Sequence, residues 1–316
     1  MTAESRVVAD IGGTNSRLAV FHESSGRFSS VATFRNSDHS SLEDILGLWQ
    51  SNLKETCPAN ACFAIAAPLA GDRVKMVNIG WSFSRCELGH QFGFEHLHWL
   101  NDFEANAHAL PHLQATDLTP VQPGKARDHE DVCTVGPGTG LGGAALRWIE
   151  GRPCAFAAEP GHMGLSPGSD LELAIFRELL PIHGNIYAEL LVSGKGLVTL
   201  YETIAHIAGA TAEPLEPAEV SKRALEGKDP HCQQALGTFC ALLGSACGDF
   251  LVANGIYGGL YIAGGIAPRI AGFLQSSEFL ERMHSKGAMG EHLRATPVSI
   301  VTAEYPGLLG AAHAPF

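Results

Sequence analysis

At 316 residues the chain is long enough for two packed domains, and 45% hydrophobic with 17% charged residues is ordinary for a globular protein. A formal net charge of −12 argues against a general nucleic-acid or membrane-binding surface. It does not argue against a nucleotide, which backbone N–H groups can hold without Lys or Arg.

In chain order, residues 1–6 are polar and the apolar run after them stops at Asp10, so no signal peptide is expected. No apolar run is read as long enough to span a membrane, and the chain is expected to be cytosolic. Strands are expected near 5–10, 17–21, 28–34, 61–66, 73–78 and 97–100. A helix fits SLEDILGLWQSNL (Ser41–Leu53), with Ser40 or Ser41 as its cap. TDLTPVQPGKARDHED is proline-rich and polar, and reads as a surface connection near a domain boundary. DVCTVGPGTGLGGAAL then opens a second strand–glycine turn–strand unit. Helices are expected near 170–181, 186–191, 196–208, 217–226 and 231–254. GGLYIAGGIAPRI returns to a buried strand and a glycine turn, and PVSIVTAEYPGLLGAA ends on a strand and a short helix. The eight cysteines include no C-x-x-C and read as reduced, mostly buried small residues rather than a zinc site.

Three glycine segments carry the chemistry. In VVADIGGTNSRLAVF, Gly12–Gly13 lies between two apolar runs, with Asp10 before it and Thr14, Asn15 and Arg17 after it. Glycines let a backbone approach a ligand closely, and successive N–H groups in a turn bind anions. Asp10 beside such a turn is placed for Mg²⁺, directly or through water. GPGTGLGG (Gly136–Gly143) is five-eighths glycine, a conformational cost that a mere turn does not require. Together the two turns suit a polyphosphate, yet neither is a P-loop, which needs GK[ST], nor a dinucleotide fingerprint. IAGGIAP (Ile262–Pro268) is either a simple strand-to-helix turn or a backbone against which a purine lies.

HLHWLNDFEANAHAL places Asn101–Asp102 at the end of a buried strand, before a helix over Phe103–Leu110. Asp102 is either that helix's N-cap or a strand-end catalytic carboxylate. Glu159 and His162 in AAEPGHMGL follow an apolar strand at a Pro-Gly turn, and Glu189 precedes another glycine turn. Carboxylates and imidazoles fixed on loops read sugar hydroxyls. A metal at Glu159/His162 lacks an evident third ligand, and Glu189 alone also reads as a solvated helix residue.

Taken together, ADIGGTNSRLAVF, NIGWSFSRCEL, WLNDFEANAHAL, VGPGTGLGGAAL, AEPGHMGLSP, AELLVSGKGLVTLY, LYIAGGIAPRI and EYPGLLGAA resemble the bacterial glucokinase family, within the hexokinase/actin/Hsp70 ATPase superfamily, in order and over essentially the whole chain. The resemblance implies an α/β, two-domain actin-like ATPase (ribonuclease H-like) fold: a small domain, 1–112 plus 303–316, a large one, 113–302, and an interdomain cleft. It implies ATP-dependent phosphorylation of the glucose 6-hydroxyl in a cytoplasmic homodimer, with ATP and Mg²⁺ and no nucleic acid or membrane partner. Asp102 matches the catalytic base, and Asn101, Asp102, Glu159, His162 and Glu189 the sugar-contacting set. Ala9, Asp10, Ile11, Gly12, Gly13 and Thr14, with Gly138, Thr139, Gly140 and Gly142, match the phosphate turns, and Gly264–Gly265 the adenosine side.

Two departures narrow this. The family often has Glu-Gly-Gly-His where this chain has Glu159-Pro160-Gly161-His162, and proline fixes φ and removes an N–H. The zinc-binding cysteine cluster of the related ROK group, and its helix-turn-helix extension, are missing, which disfavours a repressor. The alternatives kept are a kinase for another hexose, a non-catalytic sugar or nucleotide sensor, and a chaperone- or filament-type ATPase.

Overall fold

The structure is a computed structural model describing residues 5–76, 79–124 and 129–315. Its elements run β1 (Ser5–Ile11), β2 (Asn15–His22), β3 (Arg27–Arg35), α1 (Leu42–Ser51), β4 (Asn60–Ile65), β5 (Arg73–Lys75), β6 (Ser82–Ser84), α2 (Arg85–Phe92), β7 (His96–Asn101) and α3 (Asp102–Ala109). β8 (Leu118–Gln122), β9 (Val132–Pro137), β10 (Leu141–Ile149), β11 (Arg152–Ala158), α4 (Asp170–His183), α5 (Ala188–Leu191), α6 (Gly194–Ile207), α7 (Pro217–Leu225) and α8 (Pro230–Asn254) follow. The chain ends through β12 (Leu260–Ile262), α9 (Ala271–Ser276), α10 (Phe279–His284), α11 (Gly290–Ala295), β13 (Val298–Val301) and α12 (Pro306–His313). The chain divides into two compact units, Met1–Leu113 with Glu304–Phe316, and Gln114–Ala303.

The first unit is built on a sheet of order β3-β2-β1-β4-β7, in which β1 runs antiparallel to β2 and parallel to β4. Side chains alternate across a strand, so Val7, Ala9 and Ile11 pack with Leu42, Ile45, Leu46 and Trp49 of α1. Val8, from the opposite face of β1, packs with Ala105 of α3 and Leu308 and Ala311 of α12. α12 reaches α3 so closely that a Cβ on Gly310 would overlap the Ala105 carbonyl.

The second unit carries a sheet of order β11-β10-β9-β12-β13-β8. Cys133 and Val135 of β9 and Leu260 and Ile262 of β12 share one core with α6 and α8. Both strand–glycine turn–strand readings are antiparallel hairpins, β1–β2 and β9–β10.

Some expectations are corrected. The connection after Thr116 contains β8, an edge strand antiparallel to β13; Pro120 hides the pattern, and an edge strand tolerates proline because one side of its backbone needs no partner. Positions 125–128 of that connection lie outside the described residues, as do the last two of the strand expected over 73–78. α8 is in fact long and apolar enough to cross a membrane, but 83% of its apolar window is buried in the second unit, as befits a core helix. Gly194 and Gly196 form the first turn of α6 rather than a separate turn, with Ser193 Oγ accepting from Gly196 N at 3.0 Å.

Histidines collect around α12. His313 stacks on His112 with ring centroids 3.5 Å apart. Burial and then the neighbouring His98 and His112 push His108, 5% exposed, down to about 4. Burial, then His112 and Arg6, push His313 down to about 4, against an opposing pull from Glu23. The folded unit therefore refuses protons that the unfolded chain accepts below pH 6.5, and stability falls as pH drops from 6.5 towards 4.

Two outcomes are expected. Gly310→Ala destabilises the first unit by about 1–3 kcal/mol, the cost of forcing a methyl into packed backbone; an unchanged urea midpoint would rule out the close approach. The midpoint also falls between pH 7 and pH 5, with His108 contributing up to about 3 kcal/mol by pH 4. Tryptophan fluorescence reads both, since Trp49, Trp81 and Trp99 lie in this unit. A midpoint that does not move with pH would contradict neutral buried histidines.

Candidate functional site

The β1–β2 turn is closed by Gly12 N donating to Asn15 O at 3.0 Å. Asn36, 3% exposed, bolts it from behind. Its Nδ2 donates to Gly12 O at 2.8 Å, its backbone N–H to Thr14 O at 2.9 Å, and its Oδ1 accepts from Ser16 Oγ at 2.7 Å. The turn's carbonyls are thus drawn inward. Among the described residues the Gly13 and Thr14 N–H groups donate to no backbone carbonyl, the arrangement that leaves amides for an anion. Asn36 lies 24 positions from Gly12, and no local pattern announced it.

Ala9 and Ile11 bury their side chains in the sheet core, so they place Asp10 rather than touch a ligand through side chains. The Asp10 carboxylate is 19% exposed and meets Arg17 Nη1 at 3.2 Å. Burial raises its pKa above the usual value, and the Arg17 guanidinium offsets this only in part. Gly307, in the first turn of α12, lies against it: a Cβ there would stand 2.7 Å from Asp10 Cγ. Among the described residues no group of three or more His, Cys, Asp or Glu side chains converges as a cation cage. A single carboxylate already paired with arginine fits a hard cation held mainly by water and phosphate oxygens.

At the end of β7 the cap question is settled. Asn101 is the N-cap of α3, its Oδ1 accepting from Phe103 N at 2.9 Å and Glu104 N at 3.3 Å, while Glu104 Oε2 accepts from Asn101 N at 3.3 Å. Asp102 is the first helical residue, half-buried, and does not cap.

In the second unit the β9–β10 turn is closed by Gly138 N donating to Gly140 O at 2.8 Å, and tied to α6 by Gly194 N donating to Gly138 O at 2.9 Å. Gly142 sits opposite Gly136 in the ladder. β12 runs parallel to β9, so Gly264–Gly265 follow a neighbouring strand. Gly264 has φ +81° and lies against Pro137; a Cβ would stand 2.5 Å from Pro137 O. A cavity of about 620 Å³ opens there, lined by Gly138, Thr139, Lys195, Leu215, Glu216 and Arg269 among others. The last four escaped the sequence reading; the signal for Lys195 was its place between two glycines at a capped helix start.

Glu159 precedes a short 3-10 turn, Pro160–His162, of which His162 is the last residue; they are 70% and 66% exposed, 4.0 Å from each other. The His162 ring stacks over Tyr187 at 5.8 Å between centroids and 13° between planes. Pro160 is buried at the first position of its turn, where proline's fixed φ suits and no N–H is missed. Glu189 is not a solvated helix residue: its Oε2 accepts from Leu141 N at 2.9 Å. The loop's far end is also held. Gly168 N donates to Glu172 Oε2 at 2.6 Å, and buried Glu172 pairs with Arg282.

The Glucokinase family model matches residues 7–315. The glucokinase of Chromobacterium violaceum is 40% identical over 309 residues, covering 98% of this chain and 88% of its own. A crystal structure of a glucokinase from an Antarctic psychrotroph superposes with a TM-score of 0.86 at 36% identity, covering 98% of each chain. A ROK-family glucokinase from Streptomyces griseus, in complex with glucose and AMPPNP, shares the fold with a TM-score of 0.66 at 19% identity, covering 98% of each chain.

The glycine pair after β12 gives an internal contrast. Gly264→Ala is expected to lose about 2 kcal/mol or more, from left-handed strain and the clash with Pro137. Gly265→Ala, with nothing within 4 Å of its Cβ position, is expected to stay near the parent. Denaturant unfolding of the two variants checks this, and equal stability would overturn the close approach.

Proposed function

The chain belongs to the glucokinase family, and from that premise we propose that it transfers the γ-phosphoryl group of ATP to the 6-hydroxyl of glucose, giving glucose 6-phosphate and ADP. The observation that carries the site assignment is the cavity that begins at the Gly138–Thr139 turn. A glycine turn opening into a space lined by Leu215, Lys195 and Arg269 suits a flat aromatic base on an anionic tail.

Asp102 is assigned as general base. As the 6-oxygen attacks, its carboxylate accepts the hydroxyl proton, and the geometry it imposes matters more than its basicity because the transition state is loose. Asn101 has its side-chain oxygen committed to the α3 cap, so what it offers a sugar is its NH₂ donor. Glu159, His162 and the second oxygen of Glu189 are assigned to the remaining hydroxyls. The amides of Gly13 and Thr14, and those of Thr139 and Gly140 in the Gly138–Gly142 turn, are assigned to phosphate oxygens. Mg²⁺ bound with the nucleotide supplies neutralisation of the β- and γ-phosphates, and Asp10 would hold it through water.

The reading carries with it a cytoplasmic enzyme at the entry to glycolysis, and a homodimer. The homodimer rests on the family resemblance; Leu173, Leu180 and Ile182 of α4 and Phe156 of edge strand β11 are among the exposed large apolar side chains that a second copy would cover.

Purified protein with Mg²⁺ and ATP is expected to release ADP only when D-glucose is added, and a hexose panel then ranks mannose and glucosamine against it. Release without sugar would favour a plain ATPase, and none with any hexose a sensor. Asp102→Ala is expected to lower kcat by about 10²–10⁴ while glucose binding persists. Near-normal turnover in that variant would refute the base assignment.

A further inference from the structure

We propose that Glu189 is a positioning residue that couples the sugar loop to the phosphate-binding turn, so that glucose occupancy tightens nucleotide binding through this one carboxylate. The inference rests on the glucokinase reading and adds a route for coupling within the second unit.

Three segments distant in sequence meet at Glu189. Its Oε2 accepts from Leu141 N at 2.9 Å, at the foot of the Gly138–Gly142 turn. The carboxylate occupies the place a Cβ on Gly140 would take. Its own Cβ lies 3.2 Å from where a Cβ on Gly161 would stand, and that position is also 2.5 Å from Leu141 O. At Gly140 a side chain would meet the Glu189 carboxylate, and at Gly161 it would meet the Leu141 carbonyl first and Glu189 next.

The surrounding contacts make loop and helix one body. Ala188 N donates to Met163 O at 2.9 Å, and Leu165 N to Ile186 O at 3.0 Å. Gly164 bridges Tyr187, whose ring stacks on His162. The turn itself is held on its other side by Gly194 N donating to Gly138 O. Glu189 is thus a hydrogen-bonding group through which the loop body grips the turn.

A carboxylate has two oxygens. With one on Leu141 N, a sugar hydroxyl on the other fixes the group's orientation and thereby fixes the turn. A nucleotide arriving afterwards binds amides already ordered, which gives positive coupling without a large structural change. Linkage makes the effect reciprocal: glucose must gain from nucleotide the same factor that nucleotide gains from glucose.

The test is calorimetric titration of AMPPNP with and without saturating glucose, and of glucose with and without AMPPNP. In the parent protein the two ratios should agree and reach at least about 5-fold. Gly140→Ala puts a methyl onto the present place of Glu189 Oε2, so the carboxylate must leave Leu141 N, while Asn101, Asp102, Glu159 and His162 are untouched; the ratio should fall below about 2-fold. A purely local injury to the turn would weaken AMPPNP equally with and without glucose and leave the ratio alone. Glu189→Gln keeps an acceptor for Leu141 N and should retain coupling while weakening glucose.

Hydrogen exchange on the parent protein provides a second measurement that does not depend on the variant folding. Glucose alone should slow exchange of the Leu141 amide and its turn. Coupling undiminished in Gly140→Ala, or a Leu141 amide indifferent to glucose, overturns the link while leaving the glucokinase reading intact. A parent protein that binds neither ligand overturns both.

Discussion

Backbone lying directly on backbone at the ends of β9 and β12 is the constraint from which the second unit's site follows. The parallel pairing of Leu260–Ile262 with Cys133–Val135 brings Gly136 onto the Ala263 carbonyl and Gly264 onto Pro137. A Cβ at Gly136 would stand 2.7 Å from that carbonyl carbon, so neither position admits a side chain. The conformational entropy those glycines lose on folding yields two turns at the same edge of the sheet. That edge is the carboxyl end of its parallel strands, where ligands of α/β sheets sit. The cavity of about 620 Å³ opens from one of these turns and borders the other.

The first unit solves a similar problem with polar groups. Its turn is held from behind by Asn36, which satisfies two carbonyls and one hydroxyl at once. Leaving such a buried amide half-satisfied would cost more than the net worth of any one of its bonds. Asp10 is fixed from both sides, by Arg17 in charge and by Gly307 in shape. The second contact comes from a helix almost three hundred residues later, so the orientation of an N-terminal carboxylate depends on the C-terminal helix docking on α3.

What was legible in the sequence was what local pattern decides. Glycine pairs between apolar runs announced both hairpins, and a polar pair after an apolar run put Asn101–Asp102 at a strand end. What was not legible depends on partners far along the chain. The cap of α3 fell to Asn101 because Glu104 could reach back to its N–H, a reciprocal arrangement in which Asp102 is the first helical residue rather than the cap. Glu189 looks like a surface residue until Leu141, 48 positions away, arrives. Lys195, Leu215 and Arg269 line one cavity from three separate segments. β8 was hidden by Pro120, and α8 carries apolar residues all round because it is a core helix.

Pro160 removes an N–H from the loop that carries Glu159 and His162, which by sequence alone bears on loop mobility or one backbone contact. In the fold it begins a 3-10 turn, where that N–H would have had no partner within the turn. Its ring fills the space beside Gly143, where a Cβ would stand 2.7 Å from Pro160 Cγ. A glycine at 160 would leave that space to be filled by movement of the loop or by water. Proline instead gives the loop a second hold on the β9–β10 hairpin, at Gly143, two residues along β10 from the Leu141 amide that Glu189 holds. The residue that departs from the family's common pattern therefore packs into the same junction that Glu189 holds.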